Sequence, residues 1–457
     1  MLANKPVAAN ENTHITSSQQ SPGSDLGTFP DTEELFHDGP KNDRTGFYFA
    51  SFNYVNSILG SGVIGIPYAL NKAGFGLGLM LLLLVAIVTD YSLILMVRAA
   101  HLSGTYSYQG IVEAAFGYPG YVALSLMQFL YPFIAMVSYN IVVGDTITKV
   151  LIRLFSLRAT SLLARRDVVV ALATLFVTIP LCLFRDLARL ARWSLASLVL
   201  VLFILFCILI RMSSISEIVP VTRDAWAFAD TGIVPAIGIM AFAFMCHHNV
   251  FLLYESIENA SQTVWDRLTH ISVGVACVVS FLFGIAGYAT FTGNVQGDLL
   301  ENYCWYDDLM NLARLAFSFT ILLTYPIECL VARSVITQVF SSHYSTDVQH
   351  VGFTLAIVGV AYVLSITTDC LGVVLELNGV LAAVPLAFIL PAISYLKLEP
   401  GPLLSPHKRP ALGLALFGVS VALVGALQIA FNVNDKTGPD SCMHGLVMPY
   451  CNQTVHV

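Results

Sequence analysis

Residues 52–68 read FNYVNSILGSGVIGIPY and lie inside 27 residues, Thr45 to Asn71, that carry no Asp, Glu, Lys or Arg. Roughly 20 apolar residues in helix suffice to cross a bilayer, so the stretch is long enough to span one. Its middle is Gly60-Ser61-Gly62, with Asn56 a turn earlier and Pro67 a turn later. Glycine costs a helix about 1 kcal/mol and proline about 3 relative to alanine, so the span is predicted to break there. Inside a membrane, broken backbone survives only where protein buries it or it lines a cavity. Freed N–H groups at the start of the second half-helix attract an anion such as a carboxylate, and freed carbonyls attract a cation. A small-solute site is one reading of the break. Close packing of a neighbouring helix against the small residues is the other.

The remainder of the chain is equally apolar. Of 457 residues, 56% are hydrophobic and 11% charged, against about 25% charged in soluble domains. This is the composition of an all-α polytopic membrane protein. Charge-poor apolar runs give about eleven transmembrane helices, at 46–70, 75–98, 119–145, 168–184, 193–211, 233–254, 268–292, 308–332, 350–369, 373–396 and 411–433. Run 168–184 is short, and merging it with its neighbour gives ten. Residues 1–44 read as a disordered cytosolic tail without the h-region of a signal peptide, so insertion is expected to rest on the first membrane helix. Residues 45–433 form the transmembrane domain, and 434–457 a short non-cytosolic tail. No basic stripe with interleaved aromatics points to nucleic acid. Nor does any metal set, nucleophile elbow or carboxylate pair point to an enzyme or a bound cofactor.

With the N-terminus inside, the loop Lys149 to Arg166 puts five cations on the outer side, against the positive-inside rule. The C-terminal tail argues for that orientation, because it carries the sequon Asn452-Gln453-Thr454, which is glycosylated only on the non-cytosolic side. In the same oxidising compartment Cys442 and Cys451 are expected to form a local disulfide, with Cys304 a competing partner. Asp90, Glu328 and Glu376 fall near span ends and read as interfacial carboxylates.

A second interruption sits in Ile233 to Tyr254, where AFAFMCHHNVFLLY places His247, His248 and Asn249 in mid-run. Breaks in the first and sixth spans are the mark of an inverted five-plus-five repeat and favour a transporter. Ionisable residues at membrane depth are functional by default. His247 is taken as a site residue, and a neutral histidine bonding across the bundle is the alternative.

With both breaks in view, the chain resembles the sodium-coupled neutral amino acid transporters of the amino acid/auxin permease superfamily. FNYVNSILGSGVIGIPYALNKAGF, AFAFMCHHNVFLLYESIE, LTYPIECLVAR and DCLGVVLELNGVLAAVPLAFILP carry the likeness over residues 45 to 433. QFLYPFIAMVSYNIVVGDT and GDLLENYC narrow it to one branch of that family. The chain departs from the family's common Cys-His-Pro at Cys246-His247-His248. The resemblance implies a LeuT-like fold of two inverted five-helix repeats plus an eleventh helix, with a neutral amino acid as solute. It implies substrate binding at Gly60, Ser61 and Gly62 for the carboxylate, and at Ala241, Phe242 and Phe244 for the ammonium. It also implies a sodium site of Asn56, the carbonyl of Leu59, Thr320 and Thr324, the last two being i, i+4 on one face. Sodium is the expected coupling ion, and the plasma membrane is expected over a lysosomal or other internal membrane. A proton-coupled permease and a non-transporting amino acid sensor stand as the alternatives.

Overall fold

The computed structural model describes residues 46–158, 160–184, 194–340, 347–368, 370–434, 448 and 450–451. The tail 1–44, Cys442 and Asn452 lie outside the described residues. Every regular element among the described residues is helical.

Span one is broken into Phe47–Ile58, a 3-10 turn Ser61–Gly65 and Ile66–Ala73. Ten further helices among the described residues are long and apolar enough to cross a membrane. Spans two to six are Phe75–Ser103, Tyr108–Phe155, Arg166–Leu183, Ala196–Ser216 and Ile233–Ser256. Spans seven to eleven are Gln262–Asn294, Asp308–Gln338, Asp347–Thr367, Leu371–Leu398 and Arg409–Phe431. Span four is therefore a separate crossing, which removes the ten-span alternative. A short helix precedes span three within Tyr108–Phe155; Ser107 caps it by accepting from Gly110 N (3.0 Å), and Gly117 at φ 67° turns the chain before Pro119.

The packing follows the repeat. Span seven lies against span two, span eight against span three, and the first half of span six against the second half of span one. Each pair is five spans apart, as two interlocked five-helix halves require. Spans one, two and seven are tied together by Trp265. Its ring stacks on Tyr54 (5.1 Å between centroids) and its indole N–H donates to Leu93 O (3.1 Å). Such a buried aromatic pair adds roughly 0.5–1.5 kcal/mol beyond its burial.

The cation-rich loop after span three is explained by pairing. Lys149 is buried, with Nζ 3.4 Å from Glu301 Oε1 and 2.7 Å from Glu301 O. Arg153 reaches Asp308 at 2.7 Å, Arg166 reaches Asp145 at 2.5 Å, and Arg165 pairs with Asp167. Four of the five cations are thus matched to carboxylates, two of them on the loop before span eight or at its start. Arg314 of span eight, fully buried, donates to Leu300 O and Cys304 O and to Asn311 Oδ1 (2.6 Å). This holds the Gly297–Asp307 loop down on the bundle. Within the loop, burial and then the neighbouring Glu301 push the carboxyl of Asp298 up to about 7.

The same loop corrects the disulfide. Cys451 pairs with Cys304, across 147 residues, and not with Cys442. The reason is the aromatic end of the tail. The Tyr450 hydroxyl donates to Asn302 O (2.6 Å), its ring packs near Phe291 (6.1 Å), and Tyr306 donates to Cys451 O (3.2 Å). These contacts bring the sulfurs together and put loop and tail on one face of the membrane. Non-reducing digestion and mass spectrometry should return a crosslinked pair of peptides holding Cys304 and Cys451. Recovery of Cys451 joined to Cys442 would contradict this arrangement.

Candidate functional site

The site begins at the two breaks. At the end of the first half-helix, Leu59 N–H still bonds Val55 O (2.8 Å). Gly60 N–H leaves the i−4 ladder and bonds Ile58 O (2.9 Å), and Gly60 itself is extended at φ −93°, ψ −155°. In span six the helix stops at Ala243. Met245 N–H bonds Phe242 O (3.2 Å), the i−3 carbonyl, which releases Ala241 O from its usual i+4 donor. A single 3-10 turn, His247–Asn249, then restarts the helix at Val250.

The two breaks face each other. A Cβ on Gly62 would lie 2.5 Å from Ala243 Cα, and one on Gly379 of span ten 2.0 Å from Gly238 O. Span six is thus gripped by backbone contact on both sides, which only glycine permits. Asn249 Nδ2 donates to Ser57 Oγ (3.3 Å), tying the second half of span six to the first half of span one. Gly62 therefore serves helix packing. Gly60 has nothing within 4 Å of its Cβ position and is half-buried, as is Ser61, which sits beside Tyr139 of span three. Ala241, Phe242 and Phe244 are all buried at the opposing break.

The other sequence-predicted residues fall as follows. Asn56 is half-buried and Leu59 buried at the end of the first half-helix. Thr320 Oγ1 donates to Ala316 O (3.1 Å) and Thr324 Oγ1 to Thr320 O (2.9 Å), each back to its own helix. Such a bond uses the hydroxyl proton and leaves its lone pairs available to a cation. His247 is fully buried and turned to span two, with Nε2 3.2 Å from Ser92 Oγ. Its neighbour His248 points elsewhere, its ring 5.7 Å from that of Tyr131, which also sits 5.7 Å from Phe242.

Glu328, expected near a span end, lies inside the bundle. It is not interfacial: it is 6% exposed and lines a small cavity with Gln128, Tyr131, His248 and Leu386, beside the break in span six. Asp90 pairs with His270 (2.9 Å), and Arg98 with Asp266 (3.4 Å).

Comparison with known proteins matches this arrangement to a family. The family described as "Transmembrane amino acid transporter protein" matches residues 43–431. The chain belongs to that family. A Bos taurus relative named "Putative sodium-coupled neutral amino acid transporter 11" is 47% identical over 403 residues, covering 88% of this chain and 86% of its own. Two solved structures share the fold. One is a manganese transporter mutant of Eremococcus coleocola, with TM-score 0.54, 14% identity, and 85% of this chain and 88% of that one covered. The other is MhsT in complex with L-phenylalanine, with TM-score 0.52, 12% identity, and 82% and 98% covered. The chain is a multi-pass amino acid transporter of LeuT-like fold and not an enzyme.

The packing at Gly62 makes a prediction opposite in kind to that at Gly60. Gly62→Val forces backbone apart and should cost about 1–3 kcal/mol, as overpacking does, so little monodisperse protein should survive detergent extraction. Gly60→Ala has room and should be recovered in near wild-type amount. Size-exclusion chromatography of the two variants separates them, and equal monodisperse recovery of both would contradict the packing.

Proposed function

We propose that the protein is a secondary active transporter that moves a neutral amino acid across its membrane together with sodium. The facing breaks in spans one and six carry this reading, since they bring half-helix ends of opposite polarity to one place near mid-membrane. The substrate carboxylate lies at the N–H groups of Ser61 and Gly62, where the 3-10 turn begins. Its ammonium lies against carbonyls of Ala241 to Phe244, and Phe242 with Tyr131 borders its side chain. A zwitterion fits such a pair of sites without any charged protein side chain.

Sodium binds between spans one and eight, on the oxygens of Asn56, Leu59, Thr320 and Thr324, because hard cations take oxygen ligands. A site shared by the two halves makes sodium binding sensitive to their relative angle, and that sensitivity couples the ion to the substrate. The name of the 47%-identical relative supports both sodium and a neutral substrate. The orientation we favour has the N-terminus inside and Asn452 outside, in the plasma membrane.

Purified protein in liposomes, given a panel of labelled amino acids with sodium and pH gradients imposed separately, tests the reading. Sodium should drive uptake, and Asn56→Ala or Thr324→Ala should raise the half-saturating sodium concentration about tenfold, the equivalent of one lost ligand at ~1.4 kcal/mol. Uptake that is indifferent to replacing sodium with choline yet follows the pH gradient would hand the role to a proton.

A further inference from the structure

The cavity beside the break in span six contains a group that neither the substrate site nor the sodium site uses. Glu328 sits 94% buried in span eight, and its Oε2 has no hydrogen-bond partner among the described residues. Facing it across the cavity are Gln128 and Tyr131 of span three, His248 of span six and Leu386 of span ten. Nδ1 of His248 is likewise buried without a hydrogen-bond partner. Two nearby donors are committed elsewhere: Tyr108 to Leu386 O (2.6 Å), and Gln109 to Gln128 Oε1 (2.6 Å). Arg333, the cation five residues along the same helix, donates to Cys182 O and Thr354 Oγ1, both at 2.9 Å. The remaining ionisable groups facing the carboxylate are Tyr131 and, on the same helix of span three, Tyr139.

An ionised carboxylate in such a place is costly by several kcal/mol unless a positive charge accompanies it. Replacing it with an apolar residue would relieve that cost, so packing alone gives no account of a glutamate here. The cavity holds about one water-sized occupant. That is enough for a small cation and too little for an amino acid side chain.

We propose that Glu328 is a cation-binding site which takes up one positive charge during the transport cycle, separate from the Asn56–Thr324 site. The charge arrives as a proton, shared between the carboxylate and His248, or as a sodium ion held by Glu328 and the Tyr131 hydroxyl. The two have the same electrostatic role. Because Met245 and His248 lie within the break and also line this cavity, any shift of the second half of span six changes the cavity. Loading Glu328 is thereby linked to the half-helix that closes on the substrate. The proposal deepens the transporter reading, but its test does not need transport.

Cation stoichiometry is measured on the purified intact protein, counting protons with an indicator dye between pH 8 and 6 and sodium with the radioactive ion. Glu328→Gln, which keeps the shape and removes the charge, should bind one equivalent fewer than wild type. If the source is the proton, the deficit is in the dye count and sodium binding is unchanged. If the source is sodium, the reverse holds. Equal counts of both ions in wild type and variant would overturn the proposal, whether or not the protein carries amino acids in liposomes. A second measurement needs no variant. Dicyclohexylcarbodiimide, which modifies protonated buried carboxyls, should label Glu328 in wild type. Labelling should fall as pH rises in the proton case and as sodium rises in the sodium case. Labelling indifferent to both would equally overturn it.

Discussion

Everything at the centre of this protein depends on one contact, the backbone of span one at Gly62 against the backbone of span six at Ala243. A helix broken in hydrocarbon exposes amide groups that lipid cannot satisfy, so each break needs protein around it. Placing the two breaks together buries both at once. It also sets the released N–H groups of one near the released carbonyls of the other. The absence of a Cβ at residue 62 is what permits the approach, and Gly238 against Gly379 secures the same half-helix from the other side. Substrate recognition by backbone, as we propose it, would use that same geometry, where the side chains are small or apolar.

The face that carries the loop between spans seven and eight shows how such a core is held. Buried Lys149 and Arg314 draw the loop between spans seven and eight onto the bundle, and the Cys304–Cys451 bridge adds the C-terminal tail to it. In the chain-entropy view a crosslink closing so long a loop removes several kcal/mol of freedom from the unfolded chain, on the order of 5. Leu300 of that loop packs near Val63 and Ile64 of span one. The disulfide-linked cap and the broken helix are therefore parts of one assembly.

Much of this was legible in the sequence, for identifiable reasons. A bilayer imposes apolar runs of fixed length, so the spans could be counted, and Gly60-Ser61-Gly62 and His247-His248-Asn249 interrupt those runs visibly. Contacts between distant segments left no such trace. Nothing local told Gly62 from Gly60, yet one meets Ala243 and the other meets nothing. Cys442 is nearer to Cys451 in sequence than Cys304 is, and the preference was reversed by Tyr450 and Tyr306 packing the tail end on the loop. Glu328 was read as interfacial because the apolar run fades near residue 332. The helix continues to Phe340, which places the carboxylate about three turns inside its end. The excess of cations after span three looked like a topology signal, whereas most of them are partners of carboxylates.

The central claim is that the two facing breaks bind the amino acid through backbone groups. Hydrogen–deuterium exchange of the purified protein, with and without transported amino acid, measures this directly. Amides 60–63 and 244–247 should gain protection with the free amino acid, and should not gain it with analogues amidated at the carboxylate or acetylated at the amine. Protection confined to other segments, or protection by the blocked analogues equal to that by the free amino acid, would contradict the account.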